Sequence, residues 1–357
     1  MRVAIVNRHR NDALGGSEIQ CDIIARGLME RGHETVYVAV NGKGPYHEVP
    51  YEVVPAEERG RAIAEACVKA NPTVVYWRLG KSCFRYVVGQ VRESGVPFVF
   101  AVSCVTDTTL FPPWERLKGY SGVCGALKRT VRSAWNHGGF RRINGLTSLN
   151  PDYVGAVRTS KQIFIPNSMF IDEAQFSWPR AYVVWVANIK SHKRPDVCVE
   201  LSRRLAPLGV DVLMIGEIQQ DRYLWIREAH LTWPNLHYLG PRTVEQVNGA
   251  LSGALALVNT CMPEGFGNNF IQAWLQRKPT VSLEFDPGGL IESQGFGYAA
   301  HGDEDRFHQD VLRIVTDPRS AIEMGRRAQA WARSHCLPER NVGKLVDFLQ
   351  EVVEEDG

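Results

Sequence analysis

The alternation of short apolar runs with longer amphipathic stretches constrains the fold of this chain more than any other feature. Buried strands rich in Val, Ile and Phe are predicted at residues 3–6, 36–40, 73–77, 97–102, 162–165, 182–187, 210–215, 236–239, 254–259 and 280–283. Helices are predicted between them, at residues 17–31, 57–70, 195–205, 244–251 and 268–276. Apolar strands joined by helices are typical of parallel sheets covered on both faces. We therefore expect an α/β protein with two successive doubly wound halves.

An interruption of this pattern predicts the boundary between the halves. Polar and turn-forming residues occupy the stretch from Pro166 to Pro179, and a new strand follows. A chain of 357 residues is long enough for two domains. We place the first domain at residues 1–170 and the second at 171–338, and we expect a last helix at 339–357 to pack back on the first.

The charge and the cysteines narrow the function classes. The chain has 41 Lys and Arg against 39 Asp and Glu, a formal net charge of +2. Proteins that neutralise many phosphates are far more basic, so nucleic acid is a poor candidate partner. The eight cysteines are scattered without metal-ligand spacing, which favours buried thiols in a reducing compartment. Since no run approaches the ~18–20 apolar residues that cross a bilayer, we expect a cytoplasmic location.

The most informative segment is residues 263–274, Pro-Glu-Gly-Phe-Gly-Asn-Asn-Phe-Ile-Gln-Ala-Trp, between a predicted strand and a predicted helix. Glycines at a helix start let a ligand approach the backbone, and the first N–H groups of the helix bind anions. Glu264 before this turn and Gln272 two helical turns later are suited to hold neighbouring hydroxyls beside a phosphate. A plain strand–loop–helix connection with glycine caps is the alternative explanation.

This segment resembles the Glu-x7-Glu region of the retaining GT-B glycosyltransferases of family 4, and the likeness extends over most of the chain. Several motifs carry it in the expected order and spacing, which together are more specific than any single motif. They are Gly15-Gly16-Ser17-Glu18, Ile165-Pro166-Asn167, residues 185–189 with Lys193-Arg194-Pro195-Asp196, Leu239-Gly240, Glu264-Gly265-Phe266-Gly267, and residues 286–292.

The resemblance implies a GT-B fold, in which two Rossmann-like domains face each other across a cleft. It implies a nucleotide-sugar donor, UDP- or GDP-linked, bound by the second domain, and an acceptor bound by the first. The sugar would pass to a hydroxyl of a glycan, a lipid-linked saccharide or a small molecule, with retention of its anomeric configuration. The resemblance also implies no cofactor and no obligatory metal.

Roles for the matched residues follow from the same resemblance. Lys193 would neutralise the charge that develops on the departing diphosphate, and Glu264 would hold hydroxyls of the donor sugar. Further donor contacts are expected at Gly15, Gly16, Asn188, Arg194, Gly265, Phe266, Gly267, Asn268, Asn269 and Gln272.

Three positions depart from the family's pattern. Gln272 replaces the second glutamate, Asn188 the usual arginine, and Ala187 the glycine before it. An amide still bonds to ribose hydroxyls, so nucleotide binding is compatible with Gln272. Loss of the arginine shifts the stabilisation of the diphosphate to Lys193 and to the helix start.

The first half carries less specific candidates at the ends of its predicted strands. Many relatives have a histidine after the strand at 97–102, and here Asp107 is the candidate to accept a proton from the acceptor, with Ser103 beside it. Capping of the strand end is the alternative role of Asp107. His9 and Arg78 are further candidates for the acceptor site, Arg78 for an anionic acceptor. A structural histidine and a surface ion pair are the alternatives.

Two charged segments have competing explanations. Residues 116–142 hold seven basic side chains and no acidic one. A solvated insertion explains them most simply, and contact with an anionic inner membrane face or with a phosphate-bearing acceptor is the alternative. Residues 303–305, Asp-Glu-Asp, precede a predicted helix, where carboxylates favour the positive helix end. A Mg²⁺ or Mn²⁺ site is the alternative there.

Two rival functions stay open. A nucleotide-sugar epimerase of GT-B build would bind the same donor, but it would show an acid–base pair in place of the Glu-Gly-Phe-Gly turn. A non-catalytic nucleotide-sugar binding protein would tolerate Gln272 and Asn188. Lys193 and Glu264 favour the transferase because they bear most directly on the reacting bond. A dinucleotide-dependent oxidoreductase is disfavoured because no Gly-x-Gly-x-x-Gly follows the first strand.

Overall fold

The computed structural model describes residues 1–13, 15–111, 123–159, 161–261 and 266–356. The chain divides into two compact units, each of which combines a parallel sheet with helices. The first unit comprises Met1–Ser168 together with Pro338–Gly357, and the second comprises Met169–Leu337.

Within the described residues, the first unit has a sheet of seven parallel strands in the order β3-β2-β1-β4-β5-β6-β7. These are β1 (Arg2–Asn7), β2 (Glu34–Val40), β3 (Glu52–Ala56), β4 (Val74–Trp77), β5 (Phe98–Val102), β6 (Gly145–Ser148) and β7 (Lys161–Phe164). The helices between them are α1 (Gly16–Glu30), α2 (Gly60–Lys69), α3 (Phe84–Glu93), α4 (Val105–Thr108) and α5 (Val123–His137).

The described part of the second unit has six parallel strands in the order β10-β9-β8-β11-β12-β13. These are β8 (Tyr182–Val186), β9 (Asp211–Ile215), β10 (Leu236–Gly240), β11 (Leu257–Asn259), β12 (Thr280–Ser282) and β13 (Gly297–Ala299). Its helices are α6 (Asp196–Leu205), α7 (Ala229–Thr232), α8 (Val244–Gly253), α9 (Asn268–Leu275), α10 (Leu290–Ser293), α11 (Glu304–Thr316) and α12 (Pro318–His335).

The last helix, α13 (Pro338–Asp356), belongs to the first unit although it ends the chain. Its apolar side chains recur at helical spacing and enter the core beside β1 and α1. They are Val342, Leu345, Val346, Phe348, Leu349 and Val352. Arg92 of α3 donates two hydrogen bonds, at 2.6 and 2.8 Å, to the carboxylate of Asp356. The first unit is therefore completed by residues that lie far from it in the sequence.

The central strands are buried on both faces, which explains their continuous apolar runs. In β1, residues 3–6 are 0 % exposed, and alternate side chains enter cores on opposite sides of the sheet. Ile5 lies opposite Tyr37 of β2 and opposite Tyr76 of β4. The chain order reverses between β1 and β4, and again between β8 and β11. Loops that follow the carboxyl ends of strands at such switch points form the ligand crevices of open α/β sheets.

The predicted doubly wound architecture is confirmed, and each predicted strand forms within a few residues of its expected bounds. The sequence pattern does not predict β3, β6 or β13. Strand β3 lies at the edge of its sheet and contains Glu52 and Pro55, so it lacks a continuous apolar run. Strands β6 (Gly-Leu-Thr-Ser) and β13 (Gly-Tyr-Ala) contain no Val, Ile or Phe, so they lack the apolar run that marks the predicted strands.

Candidate functional site

Loops at the carboxyl edge of the first sheet enclose a cavity of about 430 Å³. Its walls come from the end of β1, the start of α1, the loops after β4 and β5, and α5. Arg78, Ser103 and Asp107, three of the predicted N-terminal site residues, line it. They meet because β4 and β5 are neighbours in the sheet, so the loops that follow them lie at the same edge.

Arg78 follows β4 and is buried, with 7 % of its surface exposed. Its Nη2 donates a hydrogen bond of 2.6 Å to Oδ1 of Asn167. Its Nε is buried and has no hydrogen-bond partner, and no carboxylate of the described residues forms an ion pair with it. Beside it in the cavity, the Oγ of Ser103 is also buried without a partner. A buried cation and a buried hydroxyl are therefore available to a bound molecule.

Asp107 lies in α4, after β5, and its carboxylate is buried. Oδ2 accepts the backbone N–H groups of Ser103, at 2.9 Å, and of Cys104, at 3.0 Å. Burial raises the pKa of Asp107, although these N–H groups and nearby Lys81 oppose the rise. The carboxylate thus caps the loop after β5, as the alternative explanation expected, and it also faces the cavity with a strengthened affinity for a proton.

The cavity also contains basic side chains other than Arg78, two of which belong to the basic segment at 116–142. Lys81 donates from Nζ to the carbonyl of Thr109 and, at 3.1 Å, to the hydroxyl of Ser133. Burial lowers the pKa of Lys81, while Asp107 raises it. Arg129 and Arg132 enter from α5 at i, i+3 spacing and share one helix face. The available signal was the basic stretch at 116–142, but which face of this helix meets the sheet depends on packing.

His9 is buried in the core of the first unit and does not line the cavity. It is 0 % exposed, and its ring contacts Tyr37 and Tyr46 edge-on at centroid distances of 4.9 and 4.8 Å. Nε2 lies 3.1 Å from the Tyr51 hydroxyl, and Nδ1 accepts the N–H of Asn11 at 3.2 Å. Burial lowers the pKa of His9, so the neutral ring is favoured inside this aromatic cluster.

The glycine pair of the first unit forms the start of α1. Gly15 is the N-cap and Gly16 is the first helical residue. The carboxylate of Glu18 folds back over Gly15, where a Cβ atom would collide with it. Ser17 and Glu18 line the cavity, so the predicted glycine loop adjoins the space that holds Arg78 and Asp107.

In the second unit, the loop that carries Lys193 is fixed to the loop after β11. The Thr260 hydroxyl donates a hydrogen bond of 2.6 Å to the backbone carbonyl of Lys193. The same oxygen accepts the indole N–H of Trp185 in β8 at 2.8 Å. Because β8 and β11 are neighbours, this chain of bonds places Lys193 at the switch point of the sheet. Thr260 is a positioning residue that the sequence motifs do not include.

The start of α9 lies against the end of β8. Gly267 is the N-cap of α9 and Asn268 is its first residue. Asn269 donates from Nδ2 to the carbonyl of Val186 at 2.9 Å, and its Oδ1 accepts the N–H of Phe270 at 3.0 Å. The start of α9 is thereby fixed to the end of β8, the strand that precedes the Lys193 loop. Glu264 and Gly265 lie outside the described residues.

Asn188 lies in the loop after β8, where its Oδ1 accepts the N–H of Glu217 at 3.3 Å. Gly216 follows β9 and packs directly against this loop. Its backbone φ is +146°. A Cβ at Gly216 would collide with the carbonyl of Ala187. Close backbone contact between the two loops therefore requires a glycine that no sequence motif pointed to.

Three predicted donor residues are engaged with other parts of the second unit. The guanidinium of Arg194 forms an ion pair with Glu304 at the start of α11. Gln272 is 6 % exposed, and its Nε2 donates to Oδ1 of Asn248 at 2.9 Å. The ring of Phe266 packs into an aromatic cluster with Trp274 and Trp331.

The acidic run before α11 stabilises that helix and its neighbours. Asp303 is the N-cap of α11 and accepts the N–H of Arg306 at 3.0 Å. Asp305 forms an ion pair with Arg204 at 2.9 Å. Across the described ranges, no group of three or more His, Cys, Asp or Glu side chains is arranged to hold a metal ion. The helix-start explanation accounts for these carboxylates.

Helix α5 carries an exposed apolar stripe. Leu127, Val131 and Trp135 recur at i, i+4 spacing and are 61, 59 and 62 % exposed. The guanidinium of Arg85 lies over the Trp135 ring at 3.9 Å from its centroid. Residues 116–122 of the predicted basic segment lie outside the described ones. No helix in the described part of the chain is long and apolar enough to cross a membrane.

Comparison with known proteins identifies the architecture. No family model and no curated protein matches the chain. Sucrose-phosphate synthase from Thermosynechococcus elongatus is similar in structure with a TM-score of 0.80, over 99% of this chain and 100% of that one, at 13% identity. HepE from Anabaena, in complex with UDP and glucose, has a TM-score of 0.76, over 98% of this chain and 100% of that one, at 15% identity. The pneumococcal O-GlcNAc transferase GtfA, in complex with UDP and GlcNAc, has a TM-score of 0.73, over 99% of both chains, at 11% identity.

The chain therefore has the GT-B fold, and the predicted fold class is confirmed. Each half is a Rossmann-like unit whose strand order reverses next to its first strand. Identities of 11–15% establish this architecture alone.

Proposed function

We propose that this chain is a retaining glycosyltransferase that moves a sugar from a UDP- or GDP-linked donor to a hydroxyl of an acceptor. One observation carries the proposal: the Lys193 loop is bonded to the loop after β11, and the start of α9 is bonded to the end of β8, both beside the switch point of the second unit. Nucleotides bind at this position in Rossmann-type sheets. Structures of HepE in complex with UDP or with UDP-glucose support a UDP-linked donor. The acceptor would be a glycan, a lipid-linked saccharide or a small molecule, held in the cavity of the first unit.

The proposed reaction breaks the bond between the donor sugar and its diphosphate. The sugar becomes oxocarbenium-like while the diphosphate gains negative charge. The Lys193 ammonium and the first N–H groups of α9 stabilise that charge. Glu264 binds donor-sugar hydroxyls, and Gln272 contacts the ribose through Oε1, because its Nε2 bonds to Asn248. We assign no role to a metal or to a cofactor.

Retention without a protein nucleophile needs a group that takes the acceptor proton. In this proposal the departing phosphate takes it, and the acceptor oxygen attacks the face that the phosphate leaves. Asp107 is the second candidate, since it lines the acceptor cavity and burial raises its pKa. The variant Asp107→Asn distinguishes the phosphate from Asp107 as the proton acceptor. Its amide oxygen still accepts the backbone N–H groups of the loop, but it is no longer basic. Full activity in this variant would assign the proton to the phosphate.

Donor binding is the first test of the function. Thermal unfolding is measured with UDP, GDP, and UDP- and GDP-sugars, and a ligand at 100 times its dissociation constant adds about 2.7 kcal/mol to the unfolding free energy. Stabilisation by one nucleotide series is the expected result. No stabilisation by any of them would overturn the proposal.

Turnover is the second test. Lys193→Ala and Glu264→Ala are expected to lower kcat by roughly 10²–10³-fold, the scale of one lost transition-state contact. Lys69→Ala, at an exposed lysine of α2, is the matched control and keeps the wild-type rate. NMR of the product anomer distinguishes retention from inversion. Donor binding without transfer would favour the binding-protein alternative, and conversion of the donor sugar to an epimer would favour the epimerase.

We also propose a cytoplasmic location, with contact at the inner membrane face through α5. Seven cysteines of the described residues are free and five of these are buried, which supports a reducing compartment. The apolar stripe of α5, flanked by basic side chains, supports contact with an anionic surface.

A further inference from the structure

We propose that the acceptor carries a phosphate group, which the cavity of the first unit binds through Arg78. This inference rests on the proposed glycosyl transfer, because it names the acceptor class of that cavity. Its central observation is a guanidinium that is 7 % exposed and has an Nε without a hydrogen-bond partner. A buried charge with donors left unpaired is unfavourable unless an anion completes its bonding.

The acidic side chains of the cavity are bonded elsewhere and do not balance Arg78. Glu58 forms an ion pair with Arg8 at 3.2 Å and accepts Nδ2 of Asn41 at 2.8 Å. Asp107 accepts two backbone N–H groups of its own loop. The carboxylate of Glu18 folds over Gly15. The guanidinium therefore lacks the internal carboxylate partner that a purely structural arginine would be expected to have.

Further donors surround Arg78. Among the described residues, five cationic and three acidic side chains line the cavity. The cationic ones are Arg8, Arg78, Lys81, Arg129 and Arg132. The Ser103 hydroxyl is buried without a partner, and the N-terminus of α1, a helix of 15 residues, opens at the same place. A phosphate offers three oxygens to such a set, and a guanidinium fork matches two of them.

The volume of about 430 Å³ suits a sugar-sized molecule bearing this group. The phosphate has two possible sources with the same chemistry, a soluble phosphorylated acceptor and a phospholipid headgroup. The diphosphate of the donor is a third anion that the test must separate from them.

The experiment uses the full chain and isothermal titration with inorganic phosphate, with glucose 6-phosphate, and with glucose at matched ionic strength. Both phosphate probes are expected to bind more tightly than glucose. Arg78→Gln is expected to lower the affinity for both probes at least tenfold. Arg61→Gln is the matched control, because Arg61 is an exposed arginine of α2 that pairs with Glu65 at 2.7 Å. It is expected to leave the phosphate affinity unchanged.

A second variant protects the test if Arg78→Gln fails to fold, since Arg78 also bonds to Asn167. Ser103→Ala removes a hydroxyl that has no partner in the protein, and we expect it to weaken phosphate binding several-fold with an unchanged melting temperature. Unchanged phosphate affinity in Ser103→Ala, together with an unfolded Arg78→Gln, would count against the proposal.

Four further outcomes are informative. Sedimentation with phosphatidylglycerol vesicles that Arg78→Gln abolishes would identify a lipid headgroup as the source. Phosphate probes that bind no better than glucose, with no vesicle binding that depends on Arg78, would overturn the inference. The inference would also be overturned if Arg78→Gln no longer bound UDP but still bound glucose 6-phosphate. If phosphate binds but no nucleotide does, the phosphate site stands while the proposed donor function fails.

Discussion

Lys193 and Arg194 are adjacent cations with different environments. Arg194 adopts a left-handed conformation, with φ of 48°, and forms an ion pair with Glu304. Lys193 belongs to the same short turn, but its carbonyl is held by Thr260 at the end of β11. The sequence assigned both residues to the donor. The Arg194 guanidinium is already paired with a carboxylate, which partly neutralises the charge that it would present to a diphosphate.

His9 gives a prediction of pH dependence. Burial lowers its pKa in the folded protein, although Asp22 and Asp12 raise it. In the unfolded chain a histidine titrates near about 6.5, so below that pH the unfolded state binds the proton first. Stability is therefore fully present above that value and decreases as pH falls, by up to about 1.4 kcal/mol per pH unit.

We expect the urea concentration at the unfolding midpoint to decrease when the pH is lowered from 7.5 to 5.5. The decrease should be smaller in His9→Gln. His47→Gln, at an exposed histidine, is the control with the wild-type dependence. Identical slopes in His9→Gln and wild type would contradict the explanation.

At the scale of elements, the contact between the loops after β8 and β9 predicts an intolerant position. Gly216→Ala is expected to cost roughly 3–4 kcal/mol in urea unfolding, because its φ is +146° and its Cβ would collide with the carbonyl of Ala187. Gly95→Ala is the matched control: Gly95 has φ of +81° but open space around it, so only the conformational cost of about 1–2 kcal/mol applies.

The loop after β8, which Gly216 contacts, carries Asn188. The Gly216→Ala variant should therefore also bind the donor nucleotide more weakly. Equal costs at the two glycines would show that the close approach of the loops does not limit stability.

Most strands that the sequence predicted are buried on both faces, whereas the edge strands β7 and β10 are only partly buried. Strands β1, β2 and β8 have apolar side chains toward each core, so the run of Val and Ile is itself the signal. Edge strand β3 and the short strands β6 and β13 form because a neighbouring strand is already in place. Their hydrogen bonds come from tertiary pairing, which local periodicity does not record.

At the scale of the whole molecule, α5 predicts binding to an anionic membrane. The full chain is expected to sediment with phosphatidylglycerol vesicles and not with phosphatidylcholine vesicles, and salt should weaken the binding. Replacing Leu127, Val131 and Trp135 by Gln should lower the partition coefficient at least about tenfold, because the apolar area that the membrane buries is lost. Leu231→Gln, which changes a 72 % exposed leucine of the second unit, is the control. Equal partition of the two variants would exclude α5 as the contact.

The sequence by itself determined the alternation of strands and helices, the presence of two α/β halves, and the segment at 263–274 as the place to look for a ligand. These features are local, since periodicity, glycine at a helix start and motif order can be read along the chain. The tertiary structure alone decided that Arg78, Ser103 and Asp107 share a cavity and that His9 does not reach it. It also decided which side chains of α13 enter the core of the first unit. The physical reason is that contacts between distant segments depend on strand order and on the rotation of each helix against its sheet, and both are fixed only when the cores pack.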